Sequence, residues 1–179
     1  MKEIGTPFIK EMVIAILNNK KSTARRMFRR WEKVKKGDIL WVKEDYYDTI
    51  DCIDIGDTQT NRIVYAADSK KDDWKMTSSI FMPRWASRIT LEVTRDVYKQ
   101  PLSEITDEDA AKEGGIVYIN GLSGGEQNIL YEYMKKYPSP KEYVAAYFML
   151  WDTINPQCPS VNNPAPWVIE FERIYDTAK

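Results

Sequence analysis

Ala15-Ile-Leu-Asn-Asn-Lys-Lys-Ser-Thr-Ala-Arg-Arg26 and Lys36-Gly-Asp-Ile-Leu-Trp-Val-Lys-Glu44 are the two segments from which the organisation of this chain can be read. Apolar residues recur at helical spacing from Phe8 into the start of the first segment, which predicts a helix from about Phe8 to Asn19. The second segment alternates and is rich in β-forming residues, so it predicts a strand from Asp38 to Lys43. The chain between them, Lys20 to Lys36, has no clean period and is expected to be a turn and irregular chain.

Charge is unevenly distributed along the 179 residues. The net charge is −1, yet the range Lys20 to Lys36 holds nine Lys or Arg against one acid, Glu32. A nearly neutral chain can therefore carry a strongly positive face, which would suit nucleic acid. Histidine is absent, which removes the commonest general base near neutral pH and the commonest metal ligand. No spacing of ligand-type residues predicts a metal site, and we expect no cofactor.

The remaining elements follow from periodicity and turn signals. Two longer helices, a short helix with a Thr106 cap, and several short strands are predicted. The helices span Ser103–Glu113, Glu126–Tyr137 and Pro140–Ile154, and the strands Arg62–Ala66, Ser87–Val97, Ile116–Ile119 and Trp167–Ile174. Short strands scattered between single helices predict an α+β fold, a small mixed β-barrel with flanking helices. Few cysteines and no apolar run that could span a bilayer predict a cytoplasmic protein with no membrane partner.

Several segments resemble the ASCH domain, a PUA-like family, and especially its prophage-encoded bacterial members. The two segments quoted first carry the resemblance, together with Met82-Pro-Arg-Trp-Ala-Ser-Arg-Ile-Thr-Leu-Glu-Val-Thr94, the acidic helix before Gly114, and Pro166-Trp-Val-Ile-Glu-Phe171. The resemblance implies one PUA-like domain over residues 1–179, with a helical insertion at about 118–139. It also implies a cleft between the barrel and the N-terminal helix that binds RNA or a modified nucleoside.

Some members of the family remove an acetyl group from acetylcytidine, and others have been proposed to cut RNA. In the amidohydrolase pattern a Lys is the base, a Thr three residues later the nucleophile, and a Glu after the acidic helix the proton donor. Lys21 and Glu113 match the Lys and the Glu, but the Thr position holds Ala24. Thr23 is the neighbouring hydroxyl, and a one-residue shift is a poor substitute for a placed nucleophile.

The leading hypothesis from the sequence is therefore RNA or nucleoside binding, with hydrolysis of acylated cytidine or of RNA as the alternative. Arg25, Arg26, Glu44, Arg84 and Trp85 are the predicted ligand-binding residues, because guanidinium groups pair with phosphate and indole rings stack on bases. Glu44 could equally be a structural partner for an Arg. A third hypothesis is a protein-interaction module whose partner docks on the insertion.

Overall fold

A computed structural model of the protein describes residues 1–48, 63–70, 72–136 and 142–174. The helices are α1 (Lys10–Leu17), α2 (Asp107–Lys112), α3 (Gly115–Asn120), α4 (Gly124–Lys136) and α5 (Glu142–Ile154). The strands are β1 (Glu3–Pro7), β2 (Thr23–Arg26), β3 (Ile39–Lys43), β4 (Tyr46–Asp48), β5 (Ile63–Tyr65), β6 (Met76–Thr77), β7 (Thr90–Val93), β8 (Tyr98–Lys99) and β9 (Trp167–Ile174). The predicted positions Arg62, Tyr137 and Pro140, and the end of the predicted insertion, lie outside the described residues.

The main sheet has the strand order β1-β3-β7-β9-β2, with β8 also paired to β9. The pair β1 and β3 is parallel, and the other pairs are antiparallel. The closing strand β9 pairs with β7 along its second half and with β2 and β8 along its first half. The sheet is curled into a half-barrel with helices around it, which is the predicted α+β class at the level of a mixed, curled sheet.

The main hydrophobic core lies between α1 and the sheet. It includes Val13, Leu40, Leu91 and Ile169, each at most 1% exposed. Burial of each such side chain contributes on the order of 1.5–3 kcal/mol before the entropy of ordering is counted. The alternation predicted for Ser87–Val97 is confirmed in β7, whose residues alternate between half-buried and buried.

Helix α5 is buried on several sides at once. Residues 145–151 are all buried, because the helix packs against α2, α3 and α4. A helix that is apolar around most of its circumference is typical of such an interior position.

The structure corrects the prediction for the basic segment Lys20–Lys36. It contains β2 and a 3₁₀ turn from Arg29 to Lys33 rather than only irregular chain. β2 shows no alternation of apolar and polar residues because Thr23, Ala24 and Arg25 are all buried. Ala24 packs into the apolar core, whereas Arg25 is buried with a charged partner.

Two further sequence predictions differ from the structure. Ile116–Ile119 is not a strand but lies within α3, a short helix packed on α1 and α5. Strand β1 was not predicted, since Gly5 and Pro7 lower its strand propensity. Gly5 is required there because a Cβ atom would approach the Trp41 ring to 2.5 Å.

A second sheet, in the order β5-β4-β6, is joined to the first by a charged cluster around Arg88. Arg88 donates from Nε and Nη2 to the two carboxylate oxygens of Glu44, at 2.9 Å each. It also donates to both oxygens of Asp68 and lies over the Tyr65 ring, 3.9 Å from its centre. Glu44 is therefore the structural partner of an arginine.

Two glycines with positive φ allow conformational strain and steric clash to be measured separately. Gly114 has φ +94° and a Cβ there would lie 2.9 Å from the Ala15 Cβ, whereas Gly37 has φ +81° and open space. We expect Gly114→Ala to reduce the free energy of unfolding by about 2–4 kcal/mol and Gly37→Ala by about 1 kcal/mol. Gly124→Ala, with open space at the start of α4, should be neutral or slightly stabilising. Urea unfolding curves with unchanged m-values would measure the three differences, and equal losses at Gly114 and Gly37 would contradict the clash.

Candidate functional site

The site is built where the start of β2 meets the end of α2. Thr106 caps α2: its hydroxyl accepts from the Asp109 N–H and the Asp109 carboxylate accepts from the Thr106 N–H, both at 3.1 Å. This confirms the predicted cap. At the other end of α2, the Ser22 N–H donates to the Lys112 carbonyl and Lys21 forms an isolated β-bridge with Glu113. Backbone hydrogen bonds thus fix Lys21 beside Glu113, although 92 residues separate them.

The Glu113 carboxylate is held between two cations. Lys21 Nζ lies 2.6 Å from Glu113 Oε2 and also donates to the Glu113 carbonyl at 2.8 Å. Arg25 Nη1 lies 2.8 Å from Glu113 Oε1, and its Nη2 donates to Gln100 Oε1 at 2.6 Å. All three charged side chains are at most 5% exposed. Burial removes their hydration, so the cluster depends on these mutual contacts.

Burial also changes the acid–base chemistry of the cluster. Desolvation lowers the pKa of Lys21 from its ordinary value of 10.5, Glu113 opposes this shift, and the charges of Arg26 and Arg25 add to it. Desolvation, reinforced by the negative charge of Glu113, raises the pKa of the Tyr147 hydroxyl well above 10. A lysine with a lowered pKa can act as a base, because its neutral amine is more readily populated.

The cluster borders a cavity of about 550 Å³ between α1, the basic segment and α5. Its charged lining residues are Lys21, Arg25, Arg26, Arg30, Glu113 and Asp45. Its aromatic lining residues are Phe8, Phe28, Trp31, Tyr147 and Trp151. Cations therefore outnumber carboxylates by two among the described lining residues, and five of the lining side chains are aromatic.

Two aromatic residues of the basic segment have opposite orientations. Trp31 is 1% exposed and belongs to the core, whereas Phe28 is 70% exposed and lines the cavity at its edge. Arg26 lies over the Phe8 ring, 4.9 Å from its centre, and its Nη2 donates to the Pro7 carbonyl. The segment thus contributes the rings of Phe28 and Trp31 and the guanidinium groups of Arg25, Arg26 and Arg30 to the cavity lining, and of the two rings Phe28 is the exposed one.

The far wall comes from the second half of α5 and the loop that follows it. This wall contains Leu150, Ile154, Asn155, Gln157 and Cys158 in addition to Tyr147 and Trp151. Asp152 fixes the loop, because it accepts from the Ser160 N–H and hydroxyl and from the Tyr133 hydroxyl of α4. The Trp151 indole N–H donates to the Cys158 carbonyl at 2.9 Å.

Four residues predicted for the site, Lys21, Arg25, Arg26 and Glu113, line the cavity together. Four others do not line it: Thr23, Glu44, Arg84 and Trp85. Thr23 is 6% exposed and Ala24 is fully buried in the apolar core. Arg84 forms an exposed ion pair with Glu3 at 2.9 Å, and Trp85 is 69% exposed outside the cavity. These four residues therefore lie outside the cavity that brings Lys21, Arg25, Arg26 and Glu113 together.

Sequence reasoning did not identify the contribution of α5. Tyr147, Leu150 and Trp151 belong to an apolar helix that reads as core, and at 3–6% exposure they are core. No residue-level signal distinguishes the part of a buried helix that borders a cavity from the part that does not. Cys158 also gave no signal, since it lies in a proline-rich loop.

Comparison with known proteins gives little further information. No protein-family model matches the chain, and no curated protein matches it. One solved structure that matches is the crystal structure of hypothetical protein PH0355, at 12% identity and a TM-score of 0.44, covering 97% of this chain and 100% of that one. Within the ranges described above, no helix combines the length and apolarity that a bilayer crossing needs. In the same ranges, no three His, Cys, Asp or Glu residues are grouped so as to hold a metal ion.

Removal of the central carboxylate should be costly. Glu113→Gln leaves Lys21 and Arg25 buried without a counter-charge, so we expect a loss of about 3–5 kcal/mol in the free energy of unfolding. The matched control is Glu32→Gln, which breaks only the exposed Arg29–Glu32 pair and should change stability by less than about 1 kcal/mol. Urea unfolding of the two variants beside the parent protein measures the difference, and similar losses would contradict a desolvated cluster.

Proposed function

We propose that the chain is a prophage-type ASCH domain of the PUA-like class that binds RNA or a modified nucleoside in this cavity. The single observation that carries the proposal is the Lys21–Glu113–Arg25 cluster at the cavity wall. The resemblance assigns site roles to Lys21 and Glu113, and these two residues meet at 2.6 Å. A cytoplasmic location is part of the same proposal.

The dimensions and lining of the cavity support a nucleoside-sized ligand. Small-molecule sites typically have volumes of roughly 300–1,000 Å³, and this cavity has about 550 Å³. Single-stranded nucleic acid is bound by aromatic rings that stack on bases and by cations that attract phosphates. Phe28 supplies an exposed ring at the cavity edge, and Arg26 and Arg30 supply the cations.

The proposal predicts RNA binding that weakens with salt and depends on Phe28. Phe28→Ala should reduce the affinity for a short single-stranded RNA by about 1–3 kcal/mol, because one stacked base is lost. The control is Tyr131→Ala, which removes a ring that is 59% exposed on α4, away from the cavity lining. Fluorescence anisotropy of a labelled RNA at several salt concentrations gives both quantities.

The choice of variants follows from the geometry. Arg25 is unsuitable for a charge-removal test because it is paired with Glu113, so its loss would disturb the fold. If the parent protein binds neither RNA nor nucleosides, or if Phe28→Ala and Tyr131→Ala behave alike, the proposed binding site is wrong. Absence of both RNA and nucleoside binding would favour the hypothesis that the protein is a protein-interaction module.

Hydrolysis of an acylated cytidine or of RNA is the second candidate. The observation in its favour is that burial lowers the pKa of Lys21 beside a carboxylate inside a cavity. Against it, Ala24 offers no hydroxyl, Thr23 does not line the cavity, and both Glu113 oxygens accept hydrogen bonds from cations. Water would have to replace the expected threonine as the nucleophile.

Turnover assays separate the two candidates. If the protein only binds, acetylcytidine and labelled RNA should remain intact over hours with micromolar protein, as monitored by chromatography and gel electrophoresis. If it is a hydrolase, product should form and Lys21→Met should abolish it. The control Lys20→Met, which changes an exposed neighbour, should leave such turnover unchanged.

A further inference from the structure

The cavity lining contains more cations than carboxylates, four against two among the described residues. Glu113 has two oxygens, and Lys21 and Arg25 occupy one each. Asp45, the other acidic lining residue, accepts the Ser79 backbone N–H at 2.7 Å. Arg26 and Arg30 therefore face the cavity with no carboxylate of the described chain within ion-pair distance.

This arrangement is unusual for Arg26 in particular. Its side chain is half-buried, with one hydrogen bond to the Pro7 carbonyl and the Phe8 ring beneath it. A guanidinium group that has lost part of its hydration is stabilised by an anion. Arg30 lies near it along the chain, exposed and over the Trp31 ring.

We infer that the ligand of this cavity is a nucleoside phosphate rather than a free nucleoside, with its phosphate at Arg26 and Arg30. The inference rests on the proposed function and specifies the class of ligand for the same site. Guanidinium groups match phosphate geometry through paired N–H donors. The base then occupies the aromatic part of the cavity. The ion pairs of Glu113 with Lys21 and Arg25 remain formed beneath it.

The phosphate group can belong to either of two ligands, a free mononucleotide or one residue within an RNA strand. In both cases the phosphate diester or monoester supplies the negative charge that the two arginines lack. A neutral nucleoside such as acetylcytidine would leave that charge uncompensated, so its binding should be the weaker of the two.

The test compares ligands that differ only in phosphate. The four common ribonucleosides and acetylcytidine, their 5′- and 3′-monophosphates, and a short single-stranded RNA are titrated into the full chain by calorimetry. We expect a monophosphate or the RNA to bind at least about tenfold more tightly than any free nucleoside, as one charge-assisted contact implies. Preference for the RNA over mononucleotides identifies the strand as the source, and comparable affinity identifies the free nucleotide.

Two neighbouring arginines provide the matched variants. Arg30→Gln should remove most of the phosphate-dependent gain. Arg29→Gln removes an exposed cation that does not line the cavity and is paired with Glu32, so the gain should remain. Both variants alter exposed side chains, and thermal unfolding confirms that they are folded.

The outcomes separate the inference from the function on which it rests. Equal binding of nucleosides and monophosphates, or a phosphate-dependent gain that Arg30→Gln and Arg29→Gln affect equally, overturns the inference and leaves nucleoside binding in place. If neither nucleosides, monophosphates nor RNA bind, both the proposed function and the inference fail.

Discussion

The Glu113 carboxylate, held between Lys21 and Arg25, is the interaction on which the site depends. It joins the start of β2 to the end of α2, and the same region is fixed by a backbone bridge. Ion pairs of this kind are costly to desolvate and contribute little net stability compared with apolar packing. Together with the backbone bridge, the two ion pairs hold β2 in its observed alignment against α2. That alignment places the remaining cations of the basic segment along the cavity.

Much of the fold followed from periodicity. The closing strand is found at Trp167–Ile174 as predicted, and the bounds of α1 and α4 lie within two residues of the predicted ones. The failures share a physical cause. β2 contains Arg25, whose charge is buried against Glu113, and no hydropathy pattern reveals such a pairing. β1 contains Gly5, where the Trp41 ring leaves no space for a side chain. This tertiary contact overrides the low strand propensity of glycine.

The site was predictable where sequence neighbours act together and unpredictable where distant elements meet. The basic turn and Glu113 were identified from motifs. Their contact joins residues 92 positions apart in the sequence, which no local rule predicts. Arg84 and Trp85 lie outside the cavity lining, and the 3₁₀ turn that carries them places Arg84 against Glu3 of β1. Conversely, Tyr147 and Trp151 looked like ordinary core residues, since a cavity wall and a core interior require the same apolar side chains.

The loop between α5 and β9 has a consequence for ligand selection. Asp152 accepts two hydrogen bonds from Ser160 and one from Tyr133, so the loop is tied to α4 and α5 rather than hinged at its ends. Moving the loop away from the cavity would break bonds to a carboxylate, each contributing about 1.5–3 kcal/mol. The wall that a ligand meets on this side of the cavity is thus held in place by the scaffold before any ligand arrives.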